Sequence, residues 1–253
     1  MLRIALNAFL LAMYTLLLGV PAILVMLVVP NGDPLLWFAR PWAWLLARSF
    51  GTRVTSSGME KLPRNSSCVY MCNHQSHFDL VALLLALPGQ YRIIGKRSLF
   101  RIPVFGWALS LAGFIPIDRG DRERAIASVN RAAEVVGRGR SVVVFAEGSR
   151  SPDGRLQPIK KGGFHLAIGA GAPIVPVTIR GGVDILPRGT LRIRPGTMEV
   201  IASDPIPTEG LSLEEMDRLI ESVRVALQSG LDPPPAAAPP PGGRPVGASD
   251  ARG

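Results

Sequence analysis

The sequence predicts an α/β fold: a mostly parallel sheet covered by helices, with an N-terminal helical membrane anchor. Three observations lead there. From residue 51 onward, short aliphatic and β-branched runs alternate with stretches of helical period, as when strands are joined by helical crossovers. Before that point the chain is dominated by one long apolar run. After residue 230 it is Pro, Ala and Gly with few apolar side chains, a composition that cannot build a core.

Composition agrees. The 253 residues are 47% hydrophobic, with a mean hydropathy of +0.27, which is enough for one large domain plus appendages. That is too apolar for an ordinary freely soluble enzyme. A net charge of +9 alone suits nucleic acid or an anionic membrane surface. Beside the apolar N-terminus it is read as a membrane surface, with no nucleic-acid partner.

Residues 4–29 are apolar apart from Asn7, Thr15 and Gly19. As a helix they cover ~39 Å, enough to cross a bilayer core. The run exceeds a signal-peptide core, only Arg3 precedes it, and no A-x-A-like site follows, so a retained anchor is expected. The breaker Pro30-Asn31-Gly32-Asp33-Pro34 separates it from residues 35–50, where Trp37, Trp42 and Trp44 stand beside Arg40 and Arg48. That segment reads as an interfacial helix. The pair forms a span plus a surface helix or a monotopic two-helix anchor, with buried structural helices as the remaining alternative. Arg40, Arg48 and Arg53 follow the long run while Arg3 precedes it, which favours a cytoplasmic body. The expected division is therefore anchor 1–50, catalytic α/β unit 51–230 and disordered tail 231–253.

Within the α/β unit, strands are expected at 53–57, 68–72, 91–94, 114–117, 141–145, 174–179 and 197–202. Helices are expected at 79–87, 104–112, 121–136, 162–169 and 211–228. Residues 191–194 and 197–202, joined by Pro195-Gly196, read as a hairpin. Cys68 and Cys72, on one strand, would lie ~13 Å apart, beyond disulfide reach, and read as reduced core residues of a cytoplasmic body.

Ionisable groups concentrate at strand ends. Met71-Cys72-Asn73-His74-Gln75-Ser76-His77-Phe78-Asp79 joins an apolar strand to an aliphatic helix. With His74 in the turn and Asp79 in the first helical turn, the carboxylate reaches one imidazole nitrogen and leaves the other free as a general base. An Asp there suits any helix, so the pair needs company. It comes from Gly113-Phe114-Ile115-Pro116-Ile117-Asp118-Arg119-Gly120 and from Phe145-Ala146-Glu147-Gly148-Ser149-Arg150-Ser151. Each puts a guanidinium at a strand end, and Arg holds phosphate by paired hydrogen bonds. Glu147 either orients Arg150 or binds a substrate hydroxyl. Lys96, Arg97 and Arg101 add positive charge to the mouth or to a solvated rim. Nucleophile-elbow, P-loop and dinucleotide glycine motifs are absent, and His74-x-x-His77 lacks zinc-protease spacing.

In this order the blocks resemble the 1-acylglycerol-3-phosphate acyltransferase (lysophosphatidic acid acyltransferase) family over roughly 51–207. Asn73 to Asp79 matches N-H-x-x-x-x-D, Arg119 takes the family's arginine, Glu147-Gly148-Ser149-Arg150 forms the third block and Pro176 takes the proline of the fourth. Ala146 and Ser149 replace a common Pro and Thr. The resemblance implies transfer of a fatty acyl group to the sn-2 hydroxyl of 1-acylglycerol-3-phosphate, making phosphatidic acid. The acyl-CoA or acyl-acyl carrier protein donor acts as co-substrate, with no cofactor and no metal. By the same resemblance His74, Asp79 and Lys96 are catalytic, Lys96 through oxyanion stabilisation. Arg119, Glu147, Gly148, Ser149, Arg150 and Pro176 bind substrate. The expected place is the cytoplasmic face of a bacterial inner membrane. Other acceptors, such as lyso-ornithine lipid, stay open, as do a metal-dependent hydrolase and a non-catalytic lipid binder.

Overall fold

The β-branched runs become seven strands of one sheet in a computed structural model, which describes residues 1–118 and 120–232. The strands are β1 (Thr52–Ser57), β2 (Val69–Cys72), β3 (Tyr91–Lys96), β4 (Ile115–Ile117), β5 (Ser141–Phe145), β6 (Ile174–Arg180) and β7 (Gly196–Ala202). Their order is β1-β7-β6-β2-β5-β3-β4. Neighbours are parallel except β6 and β7. The helices are α1 (Leu2–Val28), α2 (Pro34–Ser49), α3 (Asp79–Ala86), α4 (Phe105–Leu111), α5 (Arg122–Gly137), α6 (Gly162–Ala170), α7 (Gly182–Ile185) and α8 (Met216–Leu231). Arg119 and most of the 231–253 tail fall outside the described residues.

Alternation along the strands builds two cores. On β2, Tyr70 and Cys72 face a core shared with α2, α3 and α4, while Val69 and Met71 face one shared with α5, α6 and α8. All four are buried, as a parallel strand covered on both faces requires. Cys68 and Cys72 are buried free thiols.

The expected hairpin does not form. Residues 191–194 take no strand, and β7 lies parallel to β1, with Thr52 opposite Gly196, and antiparallel to β6, with Val177 opposite Ala202. Ile193 packs against the core while Leu191 stands exposed, so the local alternation is real but unpaired.

The second N-terminal helix also differs from a surface-lying one. Leu36, Ala43, Leu46 and Phe50 are buried in the same core as Tyr70 and Leu83, so packing runs continuously across the expected boundary at residue 50. Only one face, with Trp37 and Trp44, is exposed. An ionic clasp fixes the α1–α2 turn. Asp33 Oδ1 accepts from Arg92 Nη2 at 2.8 Å and from Arg140 Nε at 2.9 Å, and Oδ2 accepts from Arg140 Nη2 at 3.0 Å. Arg140 first, then Arg92, lowers the Asp33 carboxyl below its usual range against the opposing effect of burial. Arg92 is the second residue of β3 and Arg140 precedes β5, so the turn is tied to the amino edge of the sheet.

Candidate active site

The strands β2, β5 and β3 run parallel, so their carboxyl ends meet at one edge, where open α/β sheets place their ligands. Beyond Cys72 the chain turns, held by Asn73. Its Oδ1 accepts from the Ile179 amide at 2.7 Å and its Nδ2 donates to the Ile179 carbonyl at 2.9 Å. This pins the turn to β6. Ser76 Oγ donates to the Leu186 carbonyl and accepts the Phe78 amide, so the turn is fixed from two further sides.

His74 and Asp79 meet across it. His74 Nδ1 lies 2.8 Å from Asp79 Oδ2, the imidazole 15% exposed and the carboxylate 0%. The same oxygen accepts the amides of Gln75 at 2.7 Å and Ser76 at 2.9 Å. Asp79 thus opens α3 with a carboxylate oxygen that gathers two amides of the preceding turn, its third donor being the imidazole. The His74 ring stacks on Phe145 of β5 with centroids 3.9 Å apart. A ring so held donates Nδ1–H inward and presents Nε2 outward, the arrangement that lets a neutral imidazole take a proton.

The same turn is held by Glu147, 2% exposed. Its Oε1 accepts the His74 amide at 2.7 Å and its Oε2 accepts the Gln157 amide at 3.0 Å. Both oxygens are occupied by backbone, so the carboxylate fastens the 148–156 loop to the His74 turn rather than orienting Arg150. The Ser151 amide donates to the His74 carbonyl at 2.7 Å, closing the loop a second time. Gly148 turns the chain at φ +70, a conformation that favours glycine.

Burial pushes the Glu147 carboxyl up to about 7, against the two amides that lower it. The sign follows. An unfolded Glu ionises near 4.5, so between there and about 7 the folded state holds a proton that the unfolded chain has lost. Stability therefore falls as pH rises through this window and levels off above it. Relative to Glu147→Gln, which cannot titrate, the wild type should lose on the order of 3 kcal/mol across it. Denaturant unfolding of both proteins at a series of pH values measures this, and parallel curves would rule it out.

Arg150 is half-buried next to this turn. Its guanidinium is lowered from the usual value by burial and then by the like charge of Arg188, with Asp79 opposing. Ser149 is exposed beside it, as is His77 on the α3 side. Lys96 ends β3, two strands from β2 or ~10 Å away, exposed and out of contact with the His74–Asp79 pair. Arg97 pairs with Asp118 at 3.5 Å. Pro176 is on the strand next to β2. It lies buried in mid-β6 opposite Met71, three residues before the Ile179 that Asn73 grips, so it packs the sheet below the edge. Among the described residues no three His, Cys, Asp or Glu gather as a metal-ligand group.

An apolar cleft opens beside α3. It holds ≈ 510 Å³ of atom-free space, mouth included, between α1, α2, α3 and α4, and is lined by residues such as Leu18, Phe38, Leu80, Leu84 and Phe105. Leu80 follows Asp79 directly. Trp107 of α4 is 56% exposed and is not among the lining residues.

A buried carboxylate–imidazole pair thus stands at the carboxyl edge, next to an arginine loop and an apolar cleft. The chain belongs to the family described as Acyltransferase, whose sequence model matches residues 53–180. It is 37% identical over 207 residues to a chloroplastic 1-acyl-sn-glycerol-3-phosphate acyltransferase of Brassica napus, covering 76% of this chain and 60% of that one. The alpha 1-acyl-sn-glycerol-3-phosphate acyltransferase of Homo sapiens is 36% identical over 176 residues, covering 69% and 62%. The chain thus spans about three fifths of the length of these curated relatives. The crystal structure of the 1-acyl-sn-glycerophosphate (LPA) acyltransferase PlsC from Thermotoga maritima shares the fold, with a TM-score of 0.64, 23% identity and coverage of 87% and 96%.

Proposed function

We propose that the protein is a membrane-bound 1-acylglycerol-3-phosphate O-acyltransferase, making phosphatidic acid for phospholipid synthesis on a cytoplasmic membrane face. The observation that supports this most is the 2.8 Å contact between His74 Nδ1 and Asp79 Oδ2, in a chain whose relatives bear that activity in their names. In this reading His74 Nε2 takes the proton of the sn-2 hydroxyl as its oxygen attacks the thioester carbonyl. Asp79 stabilises the imidazolium that forms. The tetrahedral intermediate then collapses, the C–S bond breaks and the departing thiolate of coenzyme A or the acyl carrier protein takes the proton from His74. The acceptor hydroxyl is the nucleophile, so the chain needs neither an acyl-enzyme nor a resident cofactor.

Arg150, with Arg119, which follows β4 by two residues in the sequence, would hold the acceptor phosphate. Glu147, Gly148 and Ser149 shape the loop that presents Arg150. Lys96 adds positive charge to the mouth from its distance. The apolar cleft would take an acyl chain.

Membrane attachment rests on α1, 27 residues with a window of mean hydropathy 2.4, of which only 11% is buried. Its docking has a direction. Tyr14 Oη meets Oγ of Ser49, the last residue of α2, at 2.9 Å, and Trp42 Nε1 donates to Thr15 Oγ1 at 3.1 Å. The helices are antiparallel, so residues 2–13 run ~18 Å beyond α2. Since β1 follows α2 and runs opposite to β2, that projection leaves from the edge where β2 ends. An apolar helix rising there would set the site mouth against an anionic bilayer.

The test is the purified full chain in vesicles with a panel of acceptors and both donor classes. Phosphatidic acid from 1-acylglycerol-3-phosphate at a kcat/KM at least tenfold above that for other lyso-lipids is expected. A preference for lyso-ornithine lipid, or hydrolysis of the donor without transfer, would refute the assignment.

A further inference from the structure

Arg188 lies outside every block that points to the site, on the loop between α7 and β7. Its Nη1 donates to the Arg150 carbonyl at 3.0 Å. The connection is built on both sides. The Leu186 carbonyl accepts from Ser76 Oγ of the His74 turn, and the Arg194 amide returns to the Ile185 carbonyl at 2.8 Å. The loop is thus fastened at its root to the turn that holds His74.

One bond occupies one nitrogen of a guanidinium that has five N–H donors, so Nε and Nη2 remain available. No carboxylate of a described residue lies within ion-pair distance of either the Arg150 or the Arg188 guanidinium, although Asp184 and Asp153 stand on the adjoining segments. Some arginines of the chain do find carboxylates, as Arg92 and Arg140 do on Asp33 and Arg180 does on Glu199. The exposed Arg188 guanidinium sits on the Arg150 backbone carbonyl, and its like charge repels the Arg150 side chain. An anion shared between them removes that repulsion.

We propose that Arg188 is a second substrate-binding guanidinium, which with Arg150 selects an acceptor carrying a phosphate monoester over one carrying a phosphodiester. This rests on the acyltransferase reading above. A monoester approaches two negative charges near neutral pH and offers three oxygens to paired donors. A diester offers one charge and two free oxygens, so a second guanidinium adds less to it.

The experiment uses the full chain in vesicles, with Arg188→Lys and Arg188→Gln. Lysine keeps the charge. Glutamine keeps an N–H donor for the Arg150 carbonyl but no charge, and so separates binding from loop support. Arg188→Gln should raise KM for 1-acylglycerol-3-phosphate about tenfold, with kcat and the donor KM unchanged and a diester lysophospholipid affected less than about twofold. Arg188→Lys should recover most of the loss. Inorganic phosphate should compete with the acceptor in the wild type, and about tenfold more weakly in Arg188→Gln.

If Arg188→Gln equals the wild type, Arg188 merely supports the loop and the proposal fails. A rise in the donor KM alone would place a donor phosphate there instead, which also overturns it. Phosphate acting non-competitively would mark a free-phosphate site, with the same consequence. A wild type inactive on 1-acylglycerol-3-phosphate would refute the function itself, a result distinct from all of these.

Discussion

His74→Ala lowers kcat by on the order of 10³–10⁴-fold and leaves the fold in place, as the expected result of removing a ring at the rim of a turn tied by other groups. Asn73, Ser76 and Glu147 hold that turn through backbone contacts that survive the substitution. Asp79→Asn tests the other half. An amide oxygen in the place of Oδ2 can still accept from Gln75, Ser76 and His74, so the imidazole keeps its orientation. The negative charge that stabilises the imidazolium is lost, and turnover falls by a comparable factor. The two residues form one device, so the double variant should be little slower than the worse single one. Measured kcat values for the three variants, with thermal unfolding as a check on folding, decide it. A double variant slower by the product of both effects would mean that they act separately.

The His74–Asp79 pair was legible because its chemistry is local. Five residues across a strand-to-helix turn determine the contact, and the residue types announce it. The strands themselves were legible for the same reason, since burial on both faces writes aliphatic runs into the chain. Their partners were not. β7 pairs with β1, which lies far back in sequence, and no local pattern distinguishes that from a hairpin with Leu191 to Arg194. Glu147 was assigned to side chains or substrate because a carboxylate next to Arg suggests them. Its real partners are two backbone amides, which leave no mark on residue type. The Asp33 clasp joins residues 59 and 107 positions apart, and Arg188 reaches Arg150 across 38. Sequence patterns are silent on such distances. For α2 the signal was present. Leu36, Ala43, Leu46 and Phe50 recur at helical spacing, but the tryptophans and arginines on the opposite face drew the reading toward a membrane surface.

That packing changes what an N-terminal deletion would report. Removing residues 1–50 takes Leu36, Leu46 and Phe50 out of the core at ~2–5 kcal/mol for each large buried side chain. It also removes Asp33 and leaves Arg92, with a side chain 3% exposed, without its counter-charge, a loss of about 3–5 kcal/mol. Together these losses reach about 9–20 kcal/mol, comparable to or larger than the ~5–15 kcal/mol by which domains are stable, so the deletion should unfold the protein and abolish activity on every acceptor. The anchor is isolated instead by Leu6→Glu, Leu16→Glu and Leu24→Glu together, because these side chains are 52–59% exposed and support no core. Each leucine buried in a bilayer contributes about 1.5–3 kcal/mol, so the triple variant should bind anionic vesicles at least a thousandfold more weakly. Its melting temperature should stay near that of the wild type. Activity on a long-chain acceptor embedded in vesicles should collapse, while activity on a short-chain soluble acceptor persists. Vesicle flotation, circular dichroism and the two assays separate the cases. A triple variant that still floats with vesicles would move the anchor away from α1. A deletion before Gly51 that stays folded and active on the soluble acceptor would show that α2 is dispensable to the core.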